Sequence, residues 1–462
     1  MHAQTPAPLG LTQTERLAHL AQRMKQSGQW SPSQAAGRRW TIGCVSLEIT
    51  QRCNLDCTLC YLSDSAEAIR DIPLTELFRR IDEIAEQFGP NTDVQISGGD
   101  PTLRDRAELS KIVRYVRTCG LRASLFTNGI LLTREWLREL AADGLNDVAF
   151  HVDLTQERKG FATEAALNAV RLDYINMARG LPLSVIFNTT VFAGNMDEVA
   201  ATANFFVEHN DVVRFASFQL GADTGRGVVA GRDPVVITQR SVCAAIELGA
   251  GVALNFDALQ GGHRSCNRYA MLFTIGEHRF DALADGEFVA RVMRDTADVV
   301  ITRDQGLTGA WALTQALFSK RNLWPGFVKH TSRMFWQARG QWLRGTPWIG
   351  LRGLRVPPVR KISFFTHNFM DACALDSERV DACVFMAATV DGPMSMCAYN
   401  AERDQFLLKP IRLASGETWQ PLALTPDAKG EVKIPLKWLK GKPRESAMTR
   451  RKQQREIEGA TQ

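Results

Sequence analysis

The chain has 462 residues, 45% hydrophobic and 23% charged, which excludes a disordered or fibrous protein and allows two or three domains with a sizeable core. No run reaches the ~18 apolar residues of a membrane span, and Met1 to Gly10 lacks the apolar centre of a signal peptide. Net charge is +5, and ten cysteines without such a leader point to a reducing compartment, the cytoplasm, and to metal binding in place of disulfides.

Residues 1–40 read as an N-terminal extension with one helix, Thr12 to Lys25. From 41 to 260 strands and helices alternate. Cys44 to Thr50 is the first strand, and Pro73 to Phe88 a helix with Leu74, Leu77, Phe78, Ile81, Ile84, Ala85 and Phe88 on one face that stops at Gly89-Pro90. Asp93 to Ser97, Arg122 to Thr127, Asp147 to Val152, Pro182 to Val191 and Val212 to Leu220 are the next strands. Helices over Asp105 to Cys119, Arg134 to Ala142, Glu164 to Ala178 and Met196 to His209 separate them. Six such strands predict an α/β fold with a parallel sheet and right-handed crossovers. After about Gly261 the alternation stops. A cysteine-bearing region (261–410) and a partly disordered tail (411–462) follow.

The loop after the first strand reads Cys53-Asn54-Leu55-Asp56-Cys57-Thr58-Leu59-Cys60-Tyr61, a C-x3-C-x2-C spacing closed by an aromatic residue. Thiolates are soft ligands suited to iron–sulfur clusters, and three of them leave the fourth iron of a cubane open. A closed zinc site is the alternative, but it needs a fourth ligand, and none lies nearby in the sequence.

This run resembles the signature of the radical S-adenosylmethionine (SAM) superfamily. The resemblance implies a partial (β/α)6 barrel in which Cys53, Cys57 and Cys60 hold a 4Fe-4S cluster. The open iron would bind SAM, whose reductive cleavage gives a 5′-deoxyadenosyl radical that abstracts hydrogen from a substrate. Reduced flavodoxin or ferredoxin would donate the electron. Ser97-Gly98-Gly99-Asp100-Pro101 stands where the superfamily has Gly-Gly-Glu-Pro, with Asp100 as a shorter carboxylate; glycine there lets backbone approach the cofactor closely. Tyr61, Gly98, Gly99, Asp100 and Pro101 are therefore expected at SAM. Thr127 and Asn128 are expected at its methionyl part, although Thr127-Asn128-Gly129 fits a plain strand-to-helix turn equally well. Asp153 is expected at a ribose or substrate hydroxyl, Asn188 and Thr190 share a strand face toward the ribose, and Gln219 is a further pocket residue. His151 reads as a merely hydrogen-bonded histidine, and Phe218 as core.

Cys266, Cys373, Cys383 and Cys397 lie beyond the barrel, the last two flanking a hairpin at Asp391-Gly392. They are expected to ligate a second, auxiliary 4Fe-4S cluster; buried free thiols are the alternative. Cys44, Cys119 and Cys243 read as core. The run from Met370-Asp371-Ala372-Cys373 to Met396-Cys397-Ala398-Tyr399-Asn400 is similar to the branch containing class D radical SAM methylases and archaeal tetraether lipid synthases. That branch usually carries more cysteines, and a glutamine near the position of His151.

From Gln305 to Met370 there are ten basic residues, no acid, and five of the ten tryptophans, so the rest of the chain carries −5. Tryptophan and arginine suit the headgroup layer of a membrane. Nucleic acid would use the same residue types, but no RNA-binding motif accompanies them. The expectation is a transferase-type radical SAM enzyme, cytoplasmic or peripheral to the inner face of the membrane, acting on a lipid or hydrophobic small molecule by carbon–carbon bond formation or methylation. Modification of a peptide or RNA, and an iron–sulfur sensor, are the alternatives.

Overall fold

The computed structural model describes residues 43–63, 65–224, 237–259, 261–296, 311, 314–316, 318–344 and 358–422. The helix expected over Thr12 to Lys25, the tail beyond 422 and parts of the basic segment lie outside them.

The alternation forms as expected: β1 Cys44–Thr50, α1 Leu74–Phe88, β2 Asp93–Gly98, α2 Arg106–Thr118, β3 Arg122–Thr127, α3 Arg134–Ala142, β4 Asp147–His151, α4 Glu164–Ala178, β5 Ser184–Val191, α5 Val199–Glu208 and β6 Val213–Leu220. The six strands pair in parallel in chain order. In β1 all seven residues are buried. Val45, Leu47 and Ile49 belong to the main apolar core, while the alternate residues Ser46 and Glu48 line the cavity inside the barrel. On α1, Leu77, Ile81 and Ile84 recur at helical spacing and are fully buried in that core. Asp105 caps α2 by accepting from the Ala107 and Glu108 backbone N–H groups.

The later region, where the alternation stops, adds strands to the same sheet. After α6 Gln239–Ala250 come β7 Asn267–Ile275, β8 His278–Asp281, α7 Gly286–Asp295, α8 Trp324–Arg344, β9 Val359–Asn368, α9 Ser377–Asp381, β10 Phe385–Thr389, β11 Gly392–Ser395, α10 Met396–Ala401 and α11 Arg403–Leu407. Its strands extend the same sheet at both edges, giving the order β11-β10-β1-β2-β3-β4-β5-β6-β9-β7-β8. β10 lies parallel to β1 and β9 parallel to β6. The start of the expected tail is also ordered, because Ile411 and Trp419 are buried in the main core. Among the described residues no helix is long and apolar enough to cross a membrane.

Candidate active site

One cavity opens at the carboxyl-terminal ends of the parallel strands. Cys53, Cys57 and Cys60 line it, together with Tyr61 from the same loop. Gly98, Gly99, Thr127 and Asn128 line it from β2 and β3, and Asn188, Thr190 and Gln219 from β5 and β6. The loop is fastened by its backbone: Thr58 N donates to Thr155 O at 2.9 Å and Cys60 N to Cys57 O at 3.2 Å. Cys53 N donates to Glu67 Oε1 at 3.2 Å. The Asn128 amide lies 3.9 Å from Cys53 Sγ and donates to Asn54 Oδ1 at 2.6 Å.

The glycine turn packs against that loop. Gly99 N donates to Thr50 O at 2.9 Å and Asp100 N to Arg52 O at 2.8 Å. A β-carbon on Gly98 would stand 1.9 Å from Thr50 O, and one on Gly99 2.0 Å from Arg52 O; Gly98 also has φ +122°. These glycines let the chain approach itself, a reason the sequence reading did not supply.

Asp100 and Asp153, expected at the cofactor, are fully buried, and neither is among the residues lining the cavity. Asp100 accepts from Thr102 N (2.9 Å), Thr102 Oγ1 (2.5 Å), Thr127 Oγ1 (2.9 Å) and Asn128 N (2.8 Å). Its carboxylate organises the turn and has no capacity left for a ligand. Pro101 is buried too, and outside the lining. Asp153 accepts from Thr155 N (2.9 Å), Thr155 Oγ1 (2.5 Å) and Thr190 N (2.6 Å), and holds His151 Nε2 at 2.6 Å. His151, discounted in the sequence, is the residue of this pair that reaches the cavity. Burial opposes charge on both groups, but their mutual attraction prevails. Asp153 falls to about 2 and His151 rises above the usual histidine value.

A second buried network was missed. Glu48 accepts from Arg403 (2.5 Å), Gln51 (2.8 Å) and Tyr399 (2.8 Å). Burial would raise its carboxyl, yet the Arg403 charge and these hydrogen bonds hold it below the ordinary carboxylate value. Arg403, itself fully buried, lies 4.5 Å from the ring centres of both Tyr61 and Tyr399. Tyr61 Oη donates to Gly98 O at 3.4 Å, so α11 reaches the glycine turn through one aromatic ring. The available signal was a charged residue inside a strand buried on both faces.

Cys266, Cys383 and Cys397 line a separate small cavity with His367, Met370 and Arg379. Arg379 Nε donates to Cys266 Sγ at 3.2 Å and Met370 N to Cys397 Sγ at 3.5 Å. Burial pushes all three thiols up, Cys397 to about 12. The expected hairpin is β10–β11. Cys373 is exposed and stands outside this cavity. Cys44 and Cys243 are buried, and Cys119 is half-buried beside Asp82.

Among the described residues, no His, Cys, Asp or Glu set converges as the shell of a single metal ion would. A cubane takes its thiolates on separate irons. Three soft donors on one loop, beside a glycine turn and polar strand ends, fit a three-thiolate cluster with SAM. At the second cavity three of the four expected donors meet.

Residues 47–206 match the family model described as the Radical SAM superfamily, so the chain carries a radical SAM domain. The chain is 27% identical over 188 residues to a 7,8-dihydro-6-hydroxymethylpterin dimethyltransferase of Methanocaldococcus jannaschii, covering 39% of this chain and 37% of that protein. It is 30% identical over 186 residues to an AdoMet-dependent heme synthase of Methanosarcina barkeri, covering 40% and 52%. Identity to a PqqA peptide cyclase of Xanthomonas oryzae pv. oryzae is 28% over 221 residues, covering 46% and 58%. The chain thus spans less than two thirds of each of these relatives, all of which are enzymes.

Proposed function

We propose that the protein is a radical SAM enzyme whose Cys53, Cys57 and Cys60 hold a 4Fe-4S cluster. The observation that carries this reading is that three thiols and the Gly98-Gly99 turn line one cavity in which, among the described residues, no fourth cysteine takes part. When bound, the cluster supplies the electron that splits SAM into methionine and a 5′-deoxyadenosyl radical. The chain's own groups do the rest. The Asn128 amide is a hydrogen-bond donor near the Cys53 sulfur. Gly98 and Gly99 line the cavity, where backbone carbonyl groups of this turn would accept from the ammonium group of SAM. Asn188, Thr190 and Gln219 offer polar partners to its ribose, and Leu55, Leu59, Phe126 and Phe369 exclude water. Anaerobic reconstitution with iron and sulfide, then addition of reductant and SAM, should release 5′-deoxyadenosine. Loss of that release in the triple Cys53→Ala, Cys57→Ala, Cys60→Ala variant is expected. A fully loaded wild type that releases none would be a sensor.

The substrate proposed is a lipid or another hydrophobic small molecule, joined or methylated at carbon. Supporting this, Leu220, Phe369 and Phe385 line the cavity. Six of the twelve large apolar side chains most exposed among the described residues (Trp311, Phe318, Phe327, Val328, Trp336 and Val359) fall in the stretch that carries ten basic residues and no acid. That surface suits the anionic inner face of a membrane. Flotation with anionic vesicles, but not with neutral ones, is expected; no flotation would remove the lipid. Modification of a peptide is the second reading, favoured by the similarity to the peptide cyclase. Reduced flavodoxin or ferredoxin is the proposed donor.

An auxiliary cluster on Cys266, Cys383 and Cys397 is proposed as well. Loaded wild type should then hold about eight irons per chain, falling to about four when those three are replaced by alanine. The Cys373→Ala variant tests whether that exposed cysteine is a ligand.

A further inference from the structure

A cavity of about 350 Å³ lies between β8, the loop that follows α6, and α8, and shares no lining residue with the cavity of the cysteine loop. Its walls are held in place. Gly326 lets α8 pack onto Phe288, whose ring a β-carbon there would strike, and Lys329 Nζ reaches Asp285 Oδ2 at 3.5 Å. So seated, α8 contributes His330 and Arg333 to the lining, and β8 contributes Arg279, Phe280 and Asp281.

The unspent hydrogen-bonding capacity of this lining consists of donors. Asp281 is its one carboxylate, and both oxygens accept backbone N–H groups, from Asn255 and Leu283, each at 2.8 Å. Two arginines against one aspartate leave a net +1. Burial lowers His330 below the ordinary histidine value, so it adds no charge at neutral pH. Arg279 spends Nη1 alone, on Asn204 Oδ1 (3.0 Å), Gly249 O (3.1 Å) and Ala250 O (3.1 Å). Among the described residues its other two nitrogens meet no acceptor, and Arg333 makes no hydrogen bond or ion pair. Asn255, whose Oδ1 accepts from Asp257 N at 3.1 Å, adds its amide N–H groups.

We infer that this cavity is a second ligand site, one that takes a phosphate group. A carboxylate has two oxygens in one plane, and a single guanidinium fork satisfies them. Donors arriving from β8, α8 and the loop after α6 suit the tetrahedral oxygens of a phosphate. Val252, Leu254, Phe280 and Ala284 complete the lining with apolar carbon, which suits a phosphate ester better than the bare ion. The ester has two sources, a lipid headgroup or a soluble phosphorylated metabolite. Exposed Phe327, Val328 and Trp336 on the same helix favour the lipid. The site does not depend on the reading of the first cavity as a SAM site.

The test is calorimetric titration of cluster-loaded full-length protein, without SAM, against glycerol 3-phosphate, glycerate and the soluble lipid dihexanoyl phosphatidate. Arg333→Gln removes one unengaged cation, and Ala253→Phe places a ring at an exposed residue of the lining. Lys329→Gln removes an equal charge from the same helix outside the lining. Circular dichroism and iron content establish that the variants are intact. Affinity for glycerol 3-phosphate should fall about ten- to a hundredfold in Arg333→Gln. It should fall in Ala253→Phe as well, stay within about twofold in Lys329→Gln, and exceed the affinity for glycerate by about tenfold or more. Phosphatidate binding about tenfold or more tighter than glycerol 3-phosphate identifies the lipid source, and comparable affinities a soluble one. No binding of either phosphate at millimolar ligand overturns the site. So do equal weakening by Arg333→Gln and Lys329→Gln, unchanged affinity in Ala253→Phe, or glycerate binding as well as the phosphate. Failure to cleave SAM sinks the reading of the first cavity and leaves this one standing.

Discussion

Arg403→Met should unfold much of what joins the C-terminal helices to the cysteine loop. Wild-type Arg403 is fully buried, pairs with Glu48 at 2.5 Å and donates to Asn400 Oδ1 at 2.6 Å. Methionine fills similar space but leaves Glu48, only 4% exposed, as a charge with two neutral donors. Stranding one member of a buried pair costs about 3–5 kcal/mol, a large share of the ~5–15 kcal/mol that holds a domain folded. Removing both charges, in Arg403→Met with Glu48→Gln, should recover at least ~1 kcal/mol of that loss, because neighbours in one network couple by about 0.5–3 kcal/mol. Arg403→Lys should not rescue, since an ammonium cannot stack its face between two tyrosine rings. The sign of the pH effect is set as well. In wild type the Glu48 carboxyl lies below its ordinary value, so its contribution is present above that value and lost as pH falls through the folded one. In the variant burial is unopposed and the carboxyl rises, so the deficit should shrink as the solution is acidified. Urea unfolding of the anaerobic proteins, followed by circular dichroism across a pH series, measures this. A loss below ~1 kcal/mol for Arg403→Met, or a double variant as unstable as the sum of the singles, would refute the argument.

Gly98→Ala and Gly99→Ala each drive a β-carbon to about 2 Å from a backbone oxygen, so neither should be accommodated without moving the cysteine loop; iron content after reconstitution should fall well below wild type, and a normal iron count would count against the packing described. Asp100→Ala removes the acceptor of four donors and should cost about 2–5 kcal/mol in denaturant unfolding, whereas Asp100→Asn, which keeps an acceptor oxygen, should cost less. The His151–Asp153 pair bounds stability on both sides. Asp153, lowered to about 2, contributes stability lost as pH falls from the ordinary carboxylate range through that value. His151, raised, contributes stability present below the ordinary histidine value and lost as pH rises through the folded one. Thermal melts should show the alkaline loss in wild type and not in His151→Gln.

The parallel strands and their helices were legible because each is written in a local period. β1 and β3 begin and end where alternation places them, and α1 and α2 differ from expectation by a residue at their ends. The helix expected from Met196 instead opens with a single 3₁₀ turn, Met196–Glu198, before α5. The three cysteines and two glycines were legible because their spacing is itself short-range. What stayed hidden is non-local. Nothing near Glu48 in the sequence points to Arg403, which lies 355 residues away. No local pattern shows that β9 and β10 join β6 and β1 at opposite edges of one sheet. Cys373 shares the sequence neighbourhood of Cys383 and Cys397, yet the chain turns it to solvent while those two meet the distant Cys266.

The two misjudged aspartates share a local cause, and it explains how the strand ends are held. Asp100-Pro101-Thr102 and Asp153-Leu154-Thr155 are the same three-residue device after β2 and β4. In each, one carboxylate accepts from the backbone N–H and the hydroxyl of the threonine two residues on, folding the chain into a single 3₁₀ turn. The same carboxylate then reaches a neighbouring strand, Asp100 to Thr127 and Asn128 at the end of β3 and Asp153 to Thr190 in β5. Four donors saturate a carboxylate. These aspartates therefore set the distance between the strand ends that carry Gly98, Asn128, His151 and Thr190, and leave the cavity to those residues. A glutamate at position 100 would carry its oxygens one methylene farther from the Thr102 N–H. The shorter acid at this position is thus matched to its own turn, and contact with a bound molecule falls to the groups it positions.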